Sequence, residues 1–412
     1  MEQIKIHTER AQHLFNIGRF DNALAELKQA LAIDPNDGDV LEMLSMCYYN
    51  TREFDRSLEA AKTLLGAAPS YSFAHYLVGL SYNALDKTKE AESHFKEAIK
   101  LDPSVPTYYG ALASLLIQKK EFEAALYLTD RGLSLDPENE DCLNARTTAL
   151  TKLGRKDDMQ NAAYETMQAN PNSAYSHANV GWAKLETGDH QGAKHHFAEA
   201  LRLNPTLDHA RAGMLEALKA KNPFYRYFLY WVFWMSNKTA QNQWVMIVGI
   251  YILQRVLSGL SGQFPFLQYV LYFVVFLVYM TWITEPLFNL ALRLDPIARH
   301  ALNDDEKKAS TVVGIGLFIL VGSIITFVVT KIEFFALLGI VSAGILLPAC
   351  KYYTTQRPDL KQKTGWYALG MITVGGLLLL TGIEGLMNLF VLGFIGFQIL
   401  YNVWSMSRRG LV

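Results

Sequence analysis

The sequence predicts an all-α chain, an α-solenoid of six helix-turn-helix repeats with a capping helix followed by a six-helix transmembrane bundle. Three observations carry this. Pro35, Pro69, Pro103, Pro137, Pro171 and Pro205 fall 34 residues apart without a slip, and a fixed period of that size means one supersecondary unit copied in tandem. After Lys221 the register stops and long apolar runs begin. The charge divides at the same place: residues 1–222 hold 24 Lys and Arg against 31 Asp and Glu, a balance of −7, whereas residues 223–412 hold 14 against 8, a balance of +6.

The chain of 412 residues is therefore expected to comprise a repeat superhelix (1–222), an interfacial aromatic segment (223–243) and a six-span membrane domain (244–412). An acidic front half without a basic stripe excludes nucleic acid as a partner. Cys47, Cys142 and Cys350 share no metal or redox spacing, which argues against a secreted disulfide framework. The start, Met1-Glu2-Gln3-Ile4-Lys5, has no apolar leader, so the repeats are expected to stay in the cytosol.

Numbering each repeat from 1 to 34 places the starts at Ile4, Gly38, Ser72, Pro106, Glu140 and Ala174. Position 27 is then Ala30, Leu64, Ala98, Gly132, Thr166 and Ala200, and position 20 is Ala23, Ser57, Ala91, Ala125, Met159 and Ala193. Gly79 and Gly181 occupy position 8; Leu27, Ala61, Phe95 and Phe197 occupy position 24. Small residues let helices approach closely while larger ones fill the gap between them. The proline ends the second helix because it lacks an N–H and bars the preceding turn. The fifth repeat departs most from this pattern (Thr147, Met159, Thr166) and is expected to pack most loosely. Asp208 to Leu218 reads as the solvating helix that a stack of repeats needs at its end.

These residues resemble the tetratricopeptide repeat (TPR) family over roughly residues 4–222. The resemblance implies a right-handed superhelix whose concave face binds a protein or peptide. Transferred residue by residue, its ligand-facing positions fall on Phe15, Asn16, Tyr49, Asn50, Phe73, Tyr76, Asn83, Gln118, Asn144, Tyr175 and Trp182. Amide side chains bond to a backbone while rings bury apolar anchors, which suits an extended segment. The competing reading is that several rings only pack between neighbouring helices. Lys152 is the one cation among the groove positions considered, so the carboxylate clamp of chaperone-binding members is not expected.

Apolar runs occur at 244–260, 266–284, 311–330, 334–350, 365–383 and 386–404, each near the roughly 20 residues that cross a bilayer. The aromatic stretch Pro223 to Met235 is too short to span and suits the headgroup region. With six spans, Arg226, Lys238, Arg293, Arg299, Lys307, Lys308, Lys351, Arg357, Lys361, Lys363, Arg408 and Arg409 share one side, and Lys331 alone takes the other. The positive-inside rule then places both termini in the cytosol, in a bacterial inner membrane. Glycines within the spans, among them Gly316, Gly375 and Gly393, are expected to permit close helix packing.

Two ionisable residues fall near or within the spans. Arg255 is either functional or snorkels to the headgroups, and Glu285, before Pro286, marks the inner end of the second span. Gly259-Leu260-Ser261-Gly262 matches the G-x-S-G of rhomboid proteases, yet after His209 the only histidine is His300, in a loop, and a nucleophile needs a base. His190, His195 and His196 lack the spacing of ligands on one helix. The chain is thus expected to be no enzyme and to need no metal or cofactor. The join Asn222 to Arg226 and the run Trp282 to Leu302 resemble uncharacterised bacterial TPR membrane proteins.

The reading is a membrane-anchored interaction scaffold, a subunit or assembly factor of a membrane complex, in contact with lipid, with other membrane subunits or with its own copies. The alternatives are a transport or channel subunit regulated by the repeats and, more remotely, an intramembrane hydrolase. Replacing Arg255 by leucine is expected to leave assembly and partner binding unchanged, whereas loss of a transmembrane flux would mark a conduit.

Overall fold

The computed structural model describes residues 2–238, 240–262, 264–294, 301–355 and 357–406. Arg299, His300, Arg408, Arg409 and the side chain of Ser261 lie outside the described residues. All described regular structure is helical. The chain divides into two compact units, one comprising residues up to Thr187 with Arg202–Pro205, the other comprising Gly188–Leu201 and the residues from Thr206 onward.

Six helix pairs follow the repeat register. They are α1 (Glu2–Asn16) and α2 (Phe20–Ile33), α3 (Gly38–Asn50) and α4 (Phe54–Ala67), α5 (Ser72–Ala84) and α6 (Thr88–Leu101), α7 (Pro106–Gln118) and α8 (Phe122–Leu135), α9 (Glu140–Lys152) and α10 (Lys156–Ala169), and α11 (Ala174–Glu186) and α12 (His190–Leu203). The capping helix is α13 (Asp208–Lys219). From the second repeat on, each first helix begins on the residue where the period sets it.

The two kinds of turn have separate causes. After the second helix in three of the pairs, an aspartate precedes the proline and its Oδ1 accepts the backbone N–H two residues on: Asp34 from Asn36 at 2.9 Å, Asp102 from Ser104 at 3.0 Å, Asp136 from Glu138 at 3.0 Å. This local bond closes the bend that proline starts. Between the paired helices, position 15 is left-handed in every repeat: Gly18, Arg52, Asp86, Lys120, Gly154 and Gly188 all have positive φ. Glycine takes that region freely, and a side chain there is strained.

The small-residue positions work as expected within the first unit. Phe95 is fully buried, and a Cβ added at Gly79 would lie 2.7 Å from its ring. Where the pattern carries hydroxyls, they bond to one another. Ser57 Oγ lies 2.9 Å from Ser81 Oγ and donates to Ser45 O at 2.9 Å. In the fifth repeat, Thr147 and Thr166 are fully buried with their hydroxyls 3.1 Å apart, and Met159 is 1% exposed. The expected loose packing is replaced by a satisfied polar contact.

In the second unit, α14 (Pro223–Ser236) follows α13 and is capped by Asn222. Five helices, where six were expected, are long and apolar enough to cross a membrane: α16 (Phe266–Leu292), α17 (Asp304–Thr330), α18 (Glu333–Thr354), α19 (Pro358–Thr381) and α20 (Glu384–Met406). The first expected span falls in α15 (Ala240–Ser261), whose apolar stretch among the described residues is shorter, Val248–Leu260. α16 continues beyond Glu285 through Pro286 to Leu292, since a missing N–H inside a bundle is tolerated where neighbouring helices pack.

Ile283, Val313, Leu347 and Phe397 join α16, α17, α18 and α20 in one core, and Val341, Met371, Leu378 and Phe390 join α18, α19 and α20 in another. Cβ atoms added at Gly316, Gly375 and Gly393 would meet Leu346, Val341 and Met371 at 2.6, 2.7 and 2.8 Å; those at Gly322, Gly370 and Gly376 would meet nothing within 4 Å. Close packing thus accounts for the first three alone. The helix ends at the short connections are left-handed, Lys331 at φ 59° and Gly382 at φ 66°.

The Arg52→Gly variant is expected to raise the thermal stability of the array, since relief of left-handed strain worth about 1–2 kcal/mol exceeds the roughly 0.4–1 kcal/mol of added unfolded-chain entropy. Thermal melts followed by circular dichroism, against a Gly18→Ala control that should fall, read this directly.

Candidate functional site: the concave face of the repeats

The first helices of the repeats carry the expected ligand positions, and the structure sorts them. Phe15 and Tyr49 are half-buried and pack edge-on against rings of their own repeats, Phe20 at 5.3 Å and Phe54 at 5.6 Å. Phe73 and Tyr76 pack at 5.4 Å, and Tyr76 continues to Tyr108 at 5.2 Å and Phe95 at 6.1 Å. These rings therefore take part in the packing of the array. Asn16, Asn50 and Gln118 are exposed, whereas Asn83 and Trp182 are half-buried. Asn50 turns back onto its own helix, donating to Met46 O at 2.8 Å. Asn144 is 3% exposed and donates through Nδ2 to Ser176 Oγ at 2.9 Å, which makes it a strut between α9 and α11.

The curvature of the array brings distant residues together. Burial raises the pKa of the Tyr49 hydroxyl, and Tyr175 is near enough to raise it further. Burial also raises that of Tyr76, with contributions from Asp141, Tyr49 and Tyr108. Tyr49 is thus within electrostatic reach of Tyr76 and Tyr175, and Tyr76 within reach of Asp141, although the four belong to different repeats. Lys152 is engaged by Glu186 at 2.6 Å, which leaves it committed to that carboxylate.

The sequence reading singled out neither Asp141 nor Asp39. Asp141 exposes surface to water, yet it sits against the concave wall: a Cβ at Gly110 would lie 2.6 Å from its own Cβ. Desolvation, then the neighbouring charge of Glu140, lifts its pKa. Glu42 accepts the Tyr71 hydroxyl at 2.7 Å, and Asp39 lies close enough to act on the same tyrosine. Asp39 and Asp141 both occupy position 2 of their repeats, so the register that supplied the aromatics was also the signal for them.

A histidine pair was missed as well, and no local signal announces it. His75 Nδ1 and His94 Nδ1 are 3.1 Å apart, and His75 Nε2 lies 3.2 Å from Pro69 O. Both contacts are satisfied when His75 donates to the carbonyl and accepts from His94, with both rings neutral.

In the second unit, Arg255 is exposed on α15 and Glu285 is exposed on α16. The structure gathers different charges there. Lys219 is 3% exposed, pairs with Glu216 at 2.8 Å and lies over the Tyr225 ring at 5.5 Å; Tyr225 in turn donates to Glu216 and packs on Phe288 at 4.7 Å. Arg211 reaches Ala301 O at 3.1 Å and Glu306 at 3.3 Å, and Glu306 closes a capping box with Asn303. These bonds fasten α13 and α14 to α16 and α17.

Tetratricopeptide repeat models match residues 17–79, 74–105 and 174–207. The repeats in those residues are tetratricopeptide repeats. The TPR array has relatives among known proteins. The human protein O-mannosyl-transferase TMTC1 is 23% identical over 203 residues, 47% of this chain and 23% of the relative. Human TMTC3 is 24% identical over 192 residues, 43% of this chain and 21% of the relative. The chain spans under a quarter of the length of either. The crystal structure of a TPR protein from Parabacteroides merdae is 16% identical with a TM-score of 0.46, covering 52% of this chain and 84% of that one. The expectation that the chain is not an enzyme is corrected by the first two matches, since both relatives are named as transferases.

Burial, then His75 and Lys62, holds the pKa of His94 below its ordinary value. The folded array therefore favours the neutral ring. Its contribution to stability is full above the unfolded value and is lost as pH falls below it toward the folded one. The melting temperature should drop as pH falls below the ordinary histidine value of about 6.5, and a His94→Gln variant should flatten that slope in the same melts.

Proposed function

We propose that this protein is a membrane-embedded scaffold that uses the concave face of its TPR array to hold an extended segment of a protein partner. The observation that carries this is the convergence of Tyr49, Tyr76 and Tyr175 from three repeats on one neighbourhood, where rings supply apolar contact area at small entropic cost. The membrane helices anchor the array or join it to a larger membrane assembly.

The basic residues of the connections after α16 and α18 favour the cytosolic face for those loops. Although its apolar stretch is short, α15 has 22 residues, about 33 Å of helix against roughly 30 Å of hydrocarbon. It is long enough to carry the array to the same face. Phe224, Tyr227 and Trp234, exposed at 82%, 76% and 47% on α14, suit the headgroup region before it.

Two measurements test this reading. Proteins that co-purify with the full chain in detergent should be lost from a Tyr49→Ser, Tyr175→Ser double variant whose helical content is unchanged; retention would remove the concave face from the account. Protease added to sealed right-side-out vesicles should leave the array uncut, and cleavage there would reverse its side.

A further inference from the structure

The concave face holds carboxylates without matching cations. Asp39, Glu42 and Asp141 project from the first helices of the second and fifth repeats, and no cation pairs with any of them among the described residues. Lys152, the cation among the groove positions, is engaged by Glu186 at 2.6 Å, and Lys5 is on the exposed surface of the first repeat with Glu9 at 3.9 Å. Tyr76 lies within electrostatic reach of Asp141, and Tyr49 within reach of both Tyr76 and Tyr175.

A carboxylate beside ring faces is chemistry for a cation. Ring quadrupoles attract ammonium and guanidinium groups at their faces, and a carboxylate adds a charge-assisted hydrogen bond. The same arrangement repels an acidic or carboxylate-terminated segment. The surrounding first half of the chain, at −7, extends that bias over the whole approach.

We propose that the groove takes an extended protein segment bearing lysine or arginine, with one cationic side chain beside Asp141 and the tyrosines and a second near Glu42 and Asp39. This rests on the concave face being the binding surface, and it names the partner's chemistry. Asp141 is held at a cost that a bound cation would relieve: burial and Glu140 already disfavour its charged form.

The test uses fluorescence anisotropy on the full chain in detergent micelles, with labelled peptides of roughly ten residues, long enough to cover several repeats when extended. Three are compared, of alternating tyrosine-lysine, tyrosine-glutamine and tyrosine-glutamate sequence. The lysine peptide should bind at least about tenfold more tightly than the other two, and raised salt should narrow the difference. An Asp141→Asn, Glu42→Gln double variant should lose that preference while its circular dichroism is unchanged. Equal binding of the lysine and glutamine peptides overturns the charge preference but leaves the groove as a peptide site. No binding of any peptide removes the groove itself. Undiminished lysine-peptide binding to the variant would place the cation elsewhere and also defeat the proposal.

Discussion

The array depends on helices approaching more closely than ordinary side chains allow. No single repeat buries its apolar face alone, so stability comes from stacking, and stacking needs a ring seated against a residue with little or no side chain. Phe95 against Gly79 is the clearest case in the first unit. The second unit uses the same device, where a Cβ at Gly213 of the capping helix would lie 2.2 Å from the Phe197 ring. Where small residues are lost, buried hydroxyls take their place and bond to each other, as Thr147 and Thr166 do. The cost of burying a polar group is thereby met inside the contact.

The concave face follows from this stacking. Because each first helix is fixed by its neighbours, residues that face inward are held at set intervals along the curve, and rings from separate repeats come within electrostatic reach of one another. Tyr76 shows the double use: it packs on Phe95 and Tyr108 and still lines the face. A rigid wall of this kind pre-organises a binding surface and reduces the ordering entropy of association.

The second unit is held by a different chemistry. Lys219, Glu216, Tyr225 and Phe288 form a compact polar and aromatic contact at the foot of the capping helix, and Arg211 ties that helix to the start of α17. Breaking one partner of such a buried pair leaves an uncompensated charge. Within the second unit, the capping helix is thereby tied to the helices that follow it.

How much of this could be read in advance follows from range. The 34-residue period, the helix starts at Gly38, Ser72, Pro106, Glu140 and Ala174, and the capping helix were legible because proline stops and small-residue spacing act locally and repeat six times. The left-handed position 15 was hidden because only three of its six residues are glycine. Six spans were expected and five helices qualify among the described residues, because the described apolar part of α15 is only Val248–Leu260. Sequence alone determined the solenoid and its membrane half, since periodicity and hydropathy are properties of neighbouring residues. Only the tertiary structure decided which carboxylates meet which rings, that His75 faces His94, and that Lys219 is buried, because those contacts join residues that the chain keeps apart and packing brings together.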